Sequence, residues 1–297
     1  MSHLYTKYGY TPSSEKVSRS LELIAQNLEG VSTPDVLKAC FSMMDLTTLH
    51  TTDTPSSVGK LVDKVNALGR EYPAYPAPAS ICVYPLFAPV VREKLTAGGV
   101  HVTVVSGCFP TSQTFIESKV FESRLAVQRG ADEVDIVLAL NSFLTGDFET
   151  AGGEIAAIRR AVDEEGEKLG RKITLKVILE TGLLVTEENI ADASFLAMEN
   201  GADFIKTSTG KVEVNATPTA AYVMCESIAH FYKATGKKVG FKAAGGISTS
   251  ADAACYYSIV ATLLGKEWLS ADLFRFGVSR LANSLMSSIE QQTVAFF

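Results

Sequence analysis

The chain lacks an excess of positive charge: 27 lysines and arginines stand against 33 aspartates and glutamates, a formal net charge of −6. Nucleic-acid binding calls for a basic face, so a nucleic-acid partner is not expected. Paired cysteines are missing too. Cys40, Cys82, Cys108, Cys225 and Cys255 are scattered with no C-x-x-C spacing, which argues against a disulfide framework or a structural zinc site and fits a reducing compartment. The longest apolar run, residues 81–91, is interrupted by Pro85 and Pro89 and stops at Arg92. It is too short and too broken to span a bilayer. No apolar signal segment stands in residues 1–10, and the expectation is a cytoplasmic protein with no membrane contact. The four histidines show no ligand spacing, so no metal is expected.

Nucleotide signatures are absent as well. No G-x-G-x-x-G follows the first predicted strand, and Gly210-Lys211 is not a phosphate-binding P-loop, because Val212 follows it and Ile205 stands where the first glycine belongs. What the chain does have is core material, with 46% hydrophobic and 20% charged residues. It also shows a steady alternation of short β-type runs with longer amphipathic ones. Strands are predicted at 41–44, 80–84, 101–106, 133–138, 173–179, 202–206, 238–242 and 273–277, with helices such as 114–128, 153–169, 187–200, 218–235 and 250–264 between them. Thr186 and Ser250 look like helix caps. Eight strands in strict alternation predict a single (β/α)8 barrel over 31–297 with an N-terminal extension at 1–30. A doubly wound open sheet is the competing layout.

Two lysines end predicted strands and open into small-residue loops: Lys206 before Thr207-Ser-Thr-Gly-Lys211, and Lys242 before Ala243-Ala-Gly-Gly246. Only a neutral amine attacks a carbonyl, so a catalytic lysine must be brought down from about 10.4 toward roughly 7–8. An apolar site and a second ammonium can do this together, and adjacent sixth and seventh strands would supply both. Strand parity puts Phe204 beneath Lys206 as an apolar floor and Gly240 beneath Lys242 as room for its side chain. The alternative is a pair of surface lysines with buried stems. Asp135, between Val134 and Ile136, is a carboxylate inside a strand. It reads either as a structural partner for a buried lysine or as a proton shuttle. Asp132 and Glu133 read as a solvated strand start. Asp45 either joins the polar network or caps a turn. Lys176 and Glu180 share a face and read as a structural pair. Cys82 reads as a small core residue.

Glycine-bearing loops follow the last three predicted strands, where barrels often hold phosphate. Lys211 or Arg280 would add charge there. Phosphate at one end and an amine at the other suggest a phosphorylated small-molecule substrate. Two rivals remain: a barrel that isomerises or condenses sugar phosphates without a covalent lysine, and a non-enzymatic sugar-phosphate binder.

The segments Phe204-Ile-Lys206-Thr-Ser-Thr-Gly-Lys211, Gly240-Phe-Lys242-Ala-Ala-Gly-Gly246, Ala131-Asp-Glu-Val-Asp135, Met44-Asp-Leu-Thr-Thr-Leu49 and Arg275-Phe-Gly277 together resemble the deoxyribose-phosphate aldolase family over about residues 35–285. The resemblance implies a class I lyase on a (β/α)8 barrel, with no metal or cofactor and a place in deoxynucleoside catabolism. It implies that Lys206 forms the Schiff base, that Lys242 lowers its pKa and that Asp135 works with Lys242 and a water in proton transfer. Thr209, Lys211, Gly245, Gly246, Gly277 and Ser279 would hold substrate and phosphate, with Asp45 and Cys82 as auxiliary residues. The products would be glyceraldehyde 3-phosphate and acetaldehyde, with C3–C4 expected as the bond that breaks. Arg280 departs from the small hydroxyl residue common in the family, and residues 107–112 depart from its usual loop. A homo-oligomer is compatible with the sequence, with the N-terminal extension as a candidate interface.

Overall fold

Strands that are buried on both faces read as nearly continuous apolar runs, and such strands belong to parallel sheets covered by helices. The computed structural model, which describes residues 3–297, has this arrangement. Eight parallel strands close into a barrel: β1 Met44–Thr47, β2 Ser80–Val83, β3 His101–Val105, β4 Glu133–Val137, β5 Thr174–Ile178, β6 Phe204–Lys206, β7 Gly240–Ala244 and β8 Phe274–Val278. Pairing between β1 and β8 completes the ring. Helices alternate with the strands around the outside. Among the described residues, no helix is long and apolar enough to cross a membrane.

Three helices that follow the β5–β7 half of the barrel start from threonine caps. Thr186, Thr217 and Thr249 accept a hydrogen bond from the backbone N–H three residues on, opening Glu187–Glu199, Pro218–Thr235 and Ser250–Leu263. Each satisfies a donor that the helix leaves free. The last cap is Thr249 rather than Ser250, because Asp252 reaches back to complete a capping box.

Two strand expectations need correction. Residues 41–42 lie in the helix Pro34–Ser42, capped by Thr33 with proline at its start. Leu37, Cys40 and Phe41 are its buried face, a helical spacing rather than a strand's. β1 therefore begins at Met44, and Asp45 sits within it. β7 is displaced two residues toward the C-terminus: Lys238 is outside, paired with Glu267 at 2.6 Å, and Lys242 is central in the strand. Lys206 and Lys242 are nonetheless register partners on adjacent strands. Gly240 makes room for a ring, not for Lys242. A Cβ at 240 would lie 2.3 Å from the Phe204 ring.

The N-terminal segment is fastened to the outer helices. Tyr8 stacks on Phe195 at 4.5 Å, Tyr5 and Tyr10 are buried, and the Tyr10 hydroxyl donates to Glu226. His3 lies 2.8 Å from Asp192. The helix Ser14–Val31 then packs on Pro218–Thr235 and Ser250–Leu263.

Candidate active site

Side chains alternate along a strand, so Glu133 and Asp135 on β4 share one face. That face is the barrel interior, where both are almost wholly buried. The expectation of a solvated Glu133 is therefore wrong. Burying a carboxylate is costly unless it is paired, and here each has cations on other strands of the barrel. Asp135 Oδ1 accepts from Lys176 Nζ at 3.0 Å, and its Oδ2 accepts from Lys206 at 2.9 Å and Lys242 at 2.8 Å. Glu133 accepts from Lys176, from Arg275 Nη2 at 2.7 Å and from the Thr103 hydroxyl at 2.8 Å. Asp45 accepts from Lys242 and from Arg275 Nη1 at 2.5 Å. Asp45 thus belongs to the network and is not a turn cap.

Lys176 does not pair with Glu180. Glu180 lies past the end of β5 in a left-handed conformation (φ 56°), and its carboxylate accepts from the Thr209 N–H at 3.1 Å and the Thr209 hydroxyl at 2.5 Å. Phe204 is the apolar floor expected, with the Arg275 guanidinium 5.7 Å and the Lys176 ammonium 6.0 Å from its ring centre.

The charges separate the lysines. Burial acts first on Lys206, and the Lys242 ammonium adds to it, so its pKa falls below the ordinary lysine value despite the opposing pull of Asp135. Burial presses Lys242 downward too, but Asp135 and Asp45 together outweigh it and raise its pKa. Lys176 is raised in the same way by Asp135 and Glu133. Lys206 is thus the one of the three whose pKa is lowered, while those of Lys242 and Lys176 are raised. Burial would raise Asp135, but Lys176, Lys206 and Lys242 hold it well below the carboxylate range. Glu133 is lowered against its burial by Lys176 and Arg275, and Asp45 by Lys242 and Arg275.

These depressed carboxylates stabilise the fold above their unfolded values and stop doing so as pH falls through their folded ones. Unfolding stability should therefore drop steadily below about pH 4. Urea titrations at pH 3, 4 and 5 check this, and a flat profile would mean the three carboxylates do not hold the barrel together.

Lys206 is also the only network member that reaches the cavity at the carboxyl ends of the strands, which has a volume of about 250 Å³. Thr209, Lys211, Gly245, Gly246, Gly277, Ser279 and Arg280 line it, joined by Thr47, Leu49, His50 and Asn215. Among the described residues no carboxylate lines it, so the mouth favours an anion. Gly245 and Gly246 have φ of +85° and +82°, and a Cβ at 245 would lie 2.7 Å from Asn215. Glycine is required there, which bares the backbone of that loop to a ligand. Lys211 Nζ donates to the Leu49 carbonyl at 2.6 Å, tying the loop after β6 to the one after β1. The helix Leu281–Glu290 begins just past Ser279 and Arg280, adding a helix N-terminus to the anion end. Cys82 does not line the cavity. It packs with Leu49 and Val105 and touches the network only electrostatically, and burial raises its thiol pKa.

Glu133, Lys176 and Arg275 are the interior residues that sequence reasoning missed as part of the site. The signal for Glu133 was present: if Asp135 points inward, the residue two before it does too.

Comparison with known proteins follows the same lines. Residues 40–259 match the sequence model of the DeoC/LacD family aldolase. The chain is 40% identical to deoxyribose-phosphate aldolase of Homo sapiens over 267 residues, 86% of this chain and 80% of the human protein. It is 41% identical to the Mus musculus protein of that name over 268 residues, with the same shares covered (86% and 80%). The solved deoxyribose phosphate aldolase of Aeropyrum pernix, described as tetrameric, aligns with a TM-score of 0.65 at 25% identity, covering 93% of this chain and 98% of that one. A Toxoplasma gondii structure at 22% identity and TM-score 0.73, covering 89% and 97%, has the same fold.

Proposed function

The chain belongs to the DeoC/LacD family of aldolases, and from that premise we propose that it cleaves 2-deoxy-D-ribose 5-phosphate reversibly to D-glyceraldehyde 3-phosphate and acetaldehyde through a Schiff base on Lys206. The observation that carries the reading is one buried amine of lowered pKa at the floor of a cavity whose rim is glycine loops with Lys211 and Arg280. Neither a non-covalent isomerase nor a simple binder accounts for that amine.

In this reading neutral Lys206 adds to C1 of the open-chain aldehyde, and the carbonyl oxygen leaves as water. The bond that then breaks is C2–C3, not C3–C4. An iminium at C1 accepts electrons only from the bond beyond its neighbouring carbon, and the three-carbon product must keep C3, C4 and C5. The C2–C3 electron pair becomes the enamine, and the C3 hydroxyl loses its proton as it becomes an aldehyde. A water ordered by the ionised Asp135 relays that proton from the C3 hydroxyl toward C2 of the enamine, and Lys242 acts by charge alone. Protonation of the enamine at C2 and hydrolysis release acetaldehyde and restore the amine. Lys211, Arg280, the glycine loops and the helix N-terminus hold the phosphate.

The scattered free cysteines support a reducing, cytoplasmic setting. The tetrameric Aeropyrum relative supports a homo-oligomer.

Treatment with 2-deoxyribose 5-phosphate and sodium borohydride, followed by peptide mass spectrometry, should find a reduced two-carbon or sugar-phosphate adduct on Lys206. An adduct only on another lysine, or none on a folded protein, would overturn the proposed chemistry.

A further inference from the structure

Inside the barrel, three carboxylates (Asp45, Glu133 and Asp135) meet four cations (Lys176, Lys206, Lys242 and Arg275), linked in one continuous set of ion pairs. All seven side chains are 4% exposed or less. We propose that Lys176 and Arg275 are positioning residues of the reaction: with Lys242 they match the three carboxylates one for one, leaving Lys206 as the single cation the barrel interior does not need. The inference deepens the reading of Lys206 as the Schiff-base lysine and rests on it.

The connectivity supports the count. Without Lys206, Asp135 still has Lys176 on one oxygen and Lys242 on the other. Asp45 still has Lys242 and Arg275, and Glu133 still has Lys176 and Arg275. Each carboxylate thus keeps two cationic partners when Lys206 is neutral or engaged in an imine. A proton on Lys206 would leave the interior one charge positive, beneath a cavity already lined by Lys211 and Arg280. Buried charge is tolerated only when compensated, so the surplus proton is the one expelled. Lys176 therefore acts on the amine through Asp135, without touching substrate.

The other titratable groups around the set do not alter the count. The Cys82 thiol on β2 is kept protonated by burial, and Glu180, past β5, is committed to Thr209. His101, at the start of β3, stands 2.7 Å from Glu133 with its side chain 49% exposed. Its hydrogen bond to Glu133 raises its pKa above the ordinary histidine value, and H101Q removes its contribution as a control.

The test is a charge series on the full-length protein: K176M, E133Q, the double variant K176M/E133Q, and K176R. Two readouts are taken across pH: the rate of Lys206 acetylation by acetic anhydride, followed by peptide mass spectrometry, and kcat/KM. K176M makes the interior one charge more negative, so Lys206 should hold its proton more tightly. Both midpoints should move alkaline by about one pH unit, with about a tenfold loss of kcat/KM at pH 7. E133Q should move them acid. The double variant should return close to the parent protein, and K176R should stay there. A purely structural role for Lys176 would move stability without opposite, mutually cancelling shifts. Unmoved midpoints, or shifts of one sign in K176M and E133Q, overturn the proposal. If K176M does not fold, an acid shift in E133Q that the double variant cancels decides for it, and no such shift decides against it. Acetylation needs no sugar phosphate, so a protein inert toward 2-deoxyribose 5-phosphate would sink the substrate assignment and leave this test intact.

Discussion

Replacing Lys206 by alanine removes turnover of 2-deoxyribose 5-phosphate, with kcat falling on the order of 10⁴-fold or more, while the barrel remains folded. The first half follows from covalent chemistry: without a primary amine at the cavity floor there is no electron sink for C2–C3 cleavage. The other lysines cannot stand in, because Lys242 and Lys176 are held as ammonium ions away from the cavity. The second half follows from the pairing. Asp135 keeps its bonds to Lys176 and Lys242, so truncating Lys206 leaves no orphaned carboxylate. Steady-state kinetics and calorimetry on the same preparation check both halves. Near-normal turnover in the alanine variant would refute the Schiff-base assignment.

Lys242→Leu should act twice. The ammonium lies between Asp45 and Asp135, and removing one partner of a buried pair costs about 3–5 kcal/mol of stability. Its charge also opposes a proton on Lys206. With it gone, Lys206 is recruited as a counter-ion, its pKa rises, and the rate profile moves to higher pH. A rise of one unit reduces the neutral amine at pH 7 about tenfold. Denaturant melts give the first effect and a pH series of kcat/KM the second. A variant that loses stability but keeps the parent profile would show that Lys242 braces the barrel without tuning the amine.

The barrel itself was legible in the sequence because parallel strands buried on both faces leave unmistakable apolar runs, and caps such as Thr186 punctuate the helices between them. The start of the first strand was misread because Phe41, Met43 and Met44 form a short apolar run, although Phe41 continues the helical spacing of Leu37 and Cys40. The cavity rim was legible for another reason. Glycines and lysines at strand ends are local signals, and each predicted rim residue lines the cavity. Apart from Glu133, whose inward direction follows from strand parity with Asp135, the lower half of the charge set was not legible from local signals. Glu133, Lys176 and Arg275 look like ordinary surface charges, since such residues are almost never fully buried unless paired. Their partners lie on other strands: Arg275 is 142 residues from Glu133, and Lys176 is 41 from Asp135. Closure of the ring brings them onto one set of partners. Gly240 was misread for a related reason, because its occupant, Phe204, comes from the neighbouring strand.

The seam between β1 and β8 carries a consequence for folding. Asp45, on the first strand, is bound by Arg275 on the last, 230 residues away, and by Lys242, 197 residues away. Contacts of such long separation form late, after the local helices and strand pairs. An open seven-strand intermediate could already place Lys206 beside Asp135, yet it would lack the tie that completes the balance of charge. On the proposed Schiff-base chemistry, competence as an amine catalyst is a property of the finished ring, so turnover would serve as a stopwatch for the moment the first and last strands join.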